Sequence, residues 1–567
     1  MVCLPDRATQ FAGWDSAYVR STCKVLEPNS AVVALGATIG AAEDVCKGAS
    51  DVCDKILRKR SAIASLGHAP SELVLTRRCA DVGSMIYMLR CYGDLLNGEV
   101  ASRFDGDLRS AVEETLGGHL PDTAWWQAGV GVASGGLGMR DAATMALPAF
   151  IGSRIAARPL ASILFGHIEQ SGLGSAQELQ RLYDARLRDA VLQLIRSLPG
   201  EASGEIEGVV ADGLREAAQR WEKLVSGGTG AAVGDETEVG FRQIGSVAPG
   251  LVEDAGAQDD EHPAFHAAPR GPPVQQRLSL LLDEYTVAGI KDHFRQAQCT
   301  LDVERLSDLG AAGVSHSWLW AISPNQGPVI EEETEFVEAV RVRLGAGGPP
   351  DVGLCGCCGK AQLDLSGGHA SCCSLGEATA GHNALRDSLF GFACEADPAS
   401  EWEPTDLVPS RPWARPADVL TPAAITGRVA ALGVGVTAPA AARGEDATEQ
   451  MFRRKLRERE PERPELESQN IVYRPVVWTC YGRPHPAAVE VIRNIARRIA
   501  RRRGRASQRA ITMQIHAAFS VCIARRAARM SLACWPRDLH GGGAGVVAAS
   551  VAHNHFAMAP GSSEDSV

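Results

Sequence analysis

The chain has 567 residues, of which 45% are hydrophobic, and a net charge of −11 from 57 Lys and Arg against 68 Asp and Glu. That length suits three or four domains, and the hydrophobic share supports packed cores, which excludes a wholly disordered protein. The acidic balance argues against uniform coating of nucleic acid, and no apolar run reaches the roughly 18 residues of a membrane span.

The 16 Cys follow an N-terminus, "MVCLPDRATQFAGWD", that lacks a basic and apolar leader. The expectation is a protein with reduced thiols, nuclear or cytoplasmic, not secreted and without a membrane partner.

In chain order, residues 1 to 225 predict mostly helix, because "DVCDKILRKRSAIASL" and "SAQELQRLYDARLRDAVLQLIRSL" space their apolar residues at three and four. Residues 226 to 275 are Gly, Ala, Pro and acids without periodicity, and predict a disordered acidic linker. A helical connector follows over 276 to 346, with Trp318 and Trp320 as core aromatics. Beyond it come a Cys/His segment over 347 to 380, a mixed α/β segment over 381 to 482, basic helices over 483 to 538, and a loose tail over 539 to 567. The fold class this predicts is multidomain α+β, helical in its N-terminal part, with a small α/β domain near the C-terminus.

Within the first block, "WWQAGVGVASGGLGMR" carries Gly135, Gly136 and Gly138. Such glycines permit a tight turn into a helix, either as plain architecture or as a cradle for phosphate.

"CGCCGKAQLDLSGGHASCC" holds Cys355, Cys357, Cys358, His369, Cys372 and Cys373. A structural zinc site needs four soft ligands on two short hooks, and Cys355-x2-Cys358 with His369-x3-Cys373 meets that need. The extra Cys357 and Cys372 leave the ligand choice open.

Next, Glu403 in "EWEPTD" and Asp418 in "RPADVL" precede a strand-like run, "AALGVGVTAP", that contains no acid. A metal-dependent phosphodiesterase holds Mg²⁺ between carboxylates on neighbouring strands and uses a Lys to orient water. Glu403, Asp418 and Lys455 are the candidates for these roles. The set is incomplete, since the run after Asp418 offers no acid; Glu445 or Asp446 in the polar stretch beyond it could stand in. Magnesium is therefore expected only if the nuclease is active.

Residues 491 to 540 contain twelve Arg against the single acid Asp538, so this window is strongly basic in an acidic chain. Ile492, Ile495 and Ile499 form one stripe of a helix whose other faces carry Arg497, Arg498, Arg501, Arg502 and Arg503, with Arg505 and Arg509 beyond. Cations at that density suit DNA or RNA phosphates.

Taken together and in order, these pieces resemble the C-terminal part of non-LTR, LINE-type retrotransposon reverse transcriptases. The matching residues are Leu35, Gly36, Ile39 and Gly40, then Trp126, Gln127, Ala128, Gly135 to Arg140, Ala149 and Phe150, as in the region that follows the palm. The Cys/His segment matches with "GGHASCC". The restriction-like endonuclease of some such elements is matched by His382, Asn383, Arg386 and Asp387; Glu403 and Pro404; Arg415 to Leu420; Val434, Val436, Thr437 and Pro439; Lys455; and Tyr473, Pro475, Val476 and Val477.

The resemblance implies a thumb-like helical region over 1 to 225, a structural zinc segment, and a restriction-endonuclease-like α/β domain with a helical end. The family's paired polymerase Asp residues have no counterpart before Leu35, where only Asp6 and Asp15 occur, so reverse transcription is not expected. The expected function is nucleic-acid binding by a retrotransposon-derived fragment with a degenerate nuclease. An active Mg²⁺-dependent DNA-nicking enzyme, a host-recruited interaction protein and a pseudogene product without function are the alternatives.

Overall fold

The structure, a computed structural model, describes residues 31–34, 37–96, 98–172, 174–226, 273–347, 353–363, 367–373, 375–442, 446–504 and 507–535. The expected tail and nearly all of the expected linker lie outside the described residues, as do Leu35, Gly36, Glu445 and Arg505. The fold is mostly helical, with a small four-stranded mixed sheet in the C-terminal half. No helix among the described residues is long and apolar enough to cross a membrane.

Two compact units are present, and both are assembled from separated stretches of chain. Among the described residues, those up to 63, 76–110 and 138–286 form the first, whereas 64–75, 111–137 and those from 287 to 535 form the second. The region 1 to 225, expected to be one helical block, is thus divided between them.

In the first unit a short hairpin pairs β1 (Val32–Ala34) with β2 (Ala37–Ile39). Its core lies among α1 (Ala142–Gln170), α2 (Ala176–Arg196), α3 (Ala202–Ser226) and the start of a helix at Val274. Leu147, Phe150, Ile151 and Ile155 of α1 meet Leu187 and Leu194 of α2, with spacings of three and four in α1 and seven in α2 that keep one helix face apolar. Arg140 clamps the buried Asp283 with two bonds of 2.8 and 2.7 Å, which suits a desolvated carboxylate.

In the second unit a buried polar network fixes the glycine turn. Arg305 is fully buried and donates to Asp302, to Gln127 Oε1 at 2.8 Å and to the Arg343 carbonyl. Gln127 in turn donates to the Gly135 and Arg343 carbonyls, both at 2.9 Å. Arg343 donates to the carbonyls of Val132 at 2.9 Å and Gly136 at 3.0 Å. The turn therefore offers carbonyl oxygens to a cation, the reverse of the N–H groups an anion needs. A Cβ at Gly136 would lie 2.1 Å from the Val130 oxygen, so close packing requires glycine there. The cradle reading is corrected to the architectural one.

Trp318 is buried edge-on to Phe336 at 6.0 Å, while Trp320 is only half-buried.

The sheet runs in the order β3 (Glu401–Trp402), β4 (Val419–Ile425), β5 (Arg428–Thr437), β6 (Ile471–Thr479). The first two pairings are antiparallel and β5 with β6 is parallel, which requires the crossover helices α5 (Ala447–Arg459) and α6 (Arg463–Ser468) between them. One face of the sheet is covered by α4 (Leu375–Ala396), α7 (Pro486–Arg503) and α8 (Gln508–Ala533), the other by α5 and α6. Covered on both faces, β5 reads as an almost continuous run of buried residues.

Helix α7 starts at the His485 cap with Pro486 as its first residue and ends before Gly504, whose φ of +72° is the left-handed stop. Its stripe of Val491, Ile492, Ile495 and Ile499 enters the same core as Leu432, Val434 and Trp478 of the sheet, each buried aliphatic side chain contributing about 1.5–3 kcal/mol. The expected division at 482/483 into an α/β domain and separate basic helices is therefore absent. The division at 380/381 falls inside α4.

Candidate metal centre and nuclease-like site

Cys355 and Cys358 come from a turn closed by the Cys355 N–H on the Ala361 carbonyl and the Gly359 N–H on the Cys355 carbonyl, at 2.8 and 2.7 Å. His369 and Cys373 come from the turn and short helix at Ala370–Cys373. The ligand atoms of the four all lie within 4.8 Å of one another, with Cys355 Sγ to Cys373 Sγ at 3.6 Å and Cys358 Sγ to His369 Nε2 at 3.5 Å. A tetrahedron of 2.3 Å metal–sulfur bonds has edges of roughly 3.8 Å, so these four residues could hold one metal ion. Cys357 and Cys372 are exposed and lie outside the group.

The thiols are electrostatically uneven. Backbone N–H groups of Lys360 and Ala361 draw Cys358 down to about 6. Burial and the neighbouring Cys355 and Cys358 push Cys373 up to about 12. A cluster in which some thiols release protons and others retain them is one in which a cation displaces the remaining protons on binding.

Cys534, at the end of α8, was not foreseen. It is fully buried against Cys355 and Cys373, and its carbonyl accepts from the Gly356 N–H at 2.9 Å. It lies outside the group of four. No short spacing pairs it with the other cysteines, so the sequence carried no signal for it.

Asp418 lies just before β4. The register Val419↔Leu432 places it across from Gly433 of β5, and its N–H bonds the Leu432 carbonyl at 2.9 Å. Its carboxylate accepts from Val434 N–H at 2.6 Å and lies 3.2 Å from His382 Nε2 on α4. Burial alone would raise its pKa, but His382, the Val434 N–H and Lys455 together hold it below the usual carboxylate range.

Lys455, in a charge run that reads as a wet helix face, instead lays its stem over the sheet, where a Cβ on Gly435 would be 2.8 Å from its Cε. Burial lowers its pKa, and Asp418 opposes that shift. Asp418, Lys455 and position 433 thus share one neighbourhood.

At Gly433 the Tyr473 ring stands where a side chain would begin, so an acid there requires that ring to move. An added Cβ would lie 2.2 Å from the Tyr473 hydroxyl, which comes from the adjacent β6 and is buried enough to push its pKa up to about 12. A glycine inside a strand marks close approach of another group, and that was the available sequence signal for Tyr473.

Glu403 adjoins Asp418 through the backbone, its N–H bonding the Asp418 carbonyl at 3.0 Å. Its carboxylate is occupied by Arg386 and by Arg415 at 2.6 Å. Asp446 caps α5, accepting from the Thr448 and Glu449 N–H groups, and pairs with Arg483 at 2.8 Å. Both acids are neutralised by guanidinium.

On α7, Arg498 pairs with Asp397 at 3.1 Å and Arg503 with Glu395 at 2.6 Å, both near the C-terminal end of α4. Arg501, Arg502 and Arg509 are exposed, Arg497 is half-buried, and none of these four forms an ion pair among the described residues. No protein-family model matches the chain, and no curated protein matches it.

Proposed function

We propose that the segment from the Cys/His cluster to α8 is a zinc-braced nucleic-acid-binding module built on a nuclease scaffold that has lost its metal site. In this reading the chain is a C-terminal fragment of a LINE-type retrotransposon polyprotein, which rests on the ordered sequence motifs. The observation that carries the loss of cleavage is the pairing of Asp418 with Gly433, whose missing side chain is replaced in space by the Tyr473 hydroxyl. Two free carboxylates on neighbouring strands are needed to hold a hydrated Mg²⁺, and here Asp418 is bonded to His382 and a backbone N–H while the adjacent Glu403 is held by Arg386 and Arg415.

Zinc is the metal that the three thiols and one imidazole favour. Closed by four protein ligands, such a site does no chemistry and braces the start of α4 and the end of α8. Binding would be electrostatic and sequence-independent, through the unpaired arginines of α7 and Arg509.

The test is incubation of the purified chain with supercoiled plasmid and Mg²⁺, beside Asp418→Ala. No nicking by either is expected. Nicking that disappears in Asp418→Ala would overturn the reading in favour of an active endonuclease.

A further inference from the structure

Two exposed indoles flank the ion pairs of Glu403 along the chain: Trp402 is its neighbour, and Trp413 lies two residues before its partner Arg415. Trp413 is 76% exposed, the most exposed large apolar side chain among the described residues, and Trp402 is 47% exposed. An exposed indole suits recognition, because it presents a large flat apolar face with little conformational freedom to lose.

Neither is loosely held. The Trp413 loop is tied by the Asp406 N–H on the Pro412 carbonyl, the Arg411 N–H on the Val408 carbonyl and the Ala414 N–H on the Arg411 carbonyl, at 2.8, 2.7 and 2.9 Å. Glu465 accepts from the Ser410 N–H at 2.8 Å, and Glu462 pairs with Arg411 at 2.6 Å. On the Trp402 side, the Arg386 guanidinium sits 4.7 Å from the ring centre and the indole N–H bonds Asp387 at 3.2 Å. Glu403 connects the two sides, since its carboxylate binds both Arg386 and Arg415. Arg411 and Arg415 each use one terminal nitrogen for a carboxylate while their side chains remain 48% and 60% exposed, which leaves further N–H groups for a second acceptor.

We propose that Trp413 and Trp402 form a stacking platform for the bases of an unpaired nucleic-acid strand, with Arg411 and Arg415 on its phosphates. This rests on the nucleic-acid-binding reading above and specifies the form of its ligand. A duplex hides its base faces in its own stack, whereas an unpaired strand offers one flat face per nucleotide to a rigid indole. A protein partner would need a continuous apolar patch, and here the indoles alternate with Arg, Pro and acids. Stacking reads only the base face, so DNA and RNA strands both serve.

The experiment uses the full chain, labelled oligothymidine, oligouridine and a duplex of equal length, read by fluorescence anisotropy. Trp413→Ala should weaken both single strands about tenfold while leaving the duplex unchanged, and Trp413→Phe should keep most of the affinity. Arg501→Ala with Arg502→Ala should weaken all three and flatten the salt dependence. Unchanged single-strand affinity in Trp413→Ala, with the arginine variant still weakened, would overturn the platform and leave the nucleic-acid reading intact. If the unmodified chain binds none of the three at low salt, both fall. Trp413 is exposed enough that its variants should melt with the unmodified protein, which the same samples verify.

Discussion

The hydroxyl of Tyr473 occupies the place where a side chain at position 433 would begin, 2.2 Å from an ideal Cβ. The β4–β5 pairing brings Gly433 opposite Asp418, and the β5–β6 pairing brings Tyr473 into the space a second carboxylate would enter. Gly433→Asp alone should cost about 1–3 kcal/mol through overpacking and should not create a Mg²⁺ site. Combining it with Tyr473→Ala should recover part of that loss, giving a favourable coupling energy in a double-mutant cycle by chemical denaturation, together with measurable Mn²⁺ binding by calorimetry. Additive destabilisation would mean that the two positions do not compete for the same space.

The Cys/His cluster gives a prediction about metal content. The purified chain should carry one equivalent of zinc, measured by atomic emission, and Cys358→Ser or His369→Ala should lose it. Cys357→Ser and Cys372→Ser should retain it, because both are exposed and outside the group of four. Chelation should lower the melting temperature, since the ligands link the turn at Cys355 to the helix at Ala370–Cys373 and to the Cys534 end of α8.

Arg305 tests the buried network. Its guanidinium neutralises Asp302 and also bonds Gln127 and the Arg343 carbonyl, with no exposure of its own. Arg305→Ala leaves Asp302 buried without its charge partner and should destabilise the protein by about 3–5 kcal/mol. Arg501→Ala, at an exposed site on α7, should be nearly neutral in the same denaturation assay.

The helical stripes were legible because their signal is local: Ile492, Ile495 and Ile499 recur at three and four, and the structure buries all three. The four-ligand cluster was legible for the same reason, its two hooks being short. What the sequence concealed depends on contacts between distant segments. Nothing near "GGLG" announces that Arg343, some 207 positions away, will claim the Gly136 carbonyl, or that residues 111–137 will join the chain from 287 onward. The basic face of α7 was visible, yet its apolar face proved to be core of the sheet domain, and Arg498 and Arg503 are drawn to acids at and just beyond the end of α4, about a hundred residues earlier. Lys455 looked solvated for a similar reason, since the glycine that makes space for it, Gly435, lies on another element.

His316 makes stability depend on pH. It lies half-buried, 3.0 Å from Arg343 Nη1, and desolvation first and that cation second lower its pKa to about 2. The folded protein therefore holds this imidazole neutral, whereas the unfolded chain protonates it near the ordinary value of about 6.5. Below that pH the unfolded state binds one more proton, so stability is present above about pH 6.5 and is lost as pH falls, by up to about 1.4 kcal/mol per unit from this group. Burial lowers His516 as well, which adds to the same trend. Denaturation midpoints measured between pH 7.5 and pH 5 should fall, and His316→Asn, which keeps an acceptor for Arg343 but cannot titrate, should flatten the curve. An equal slope in the variant would show that the imidazole is protonated in the folded state, and the neutral pairing with Arg343 would then be wrong.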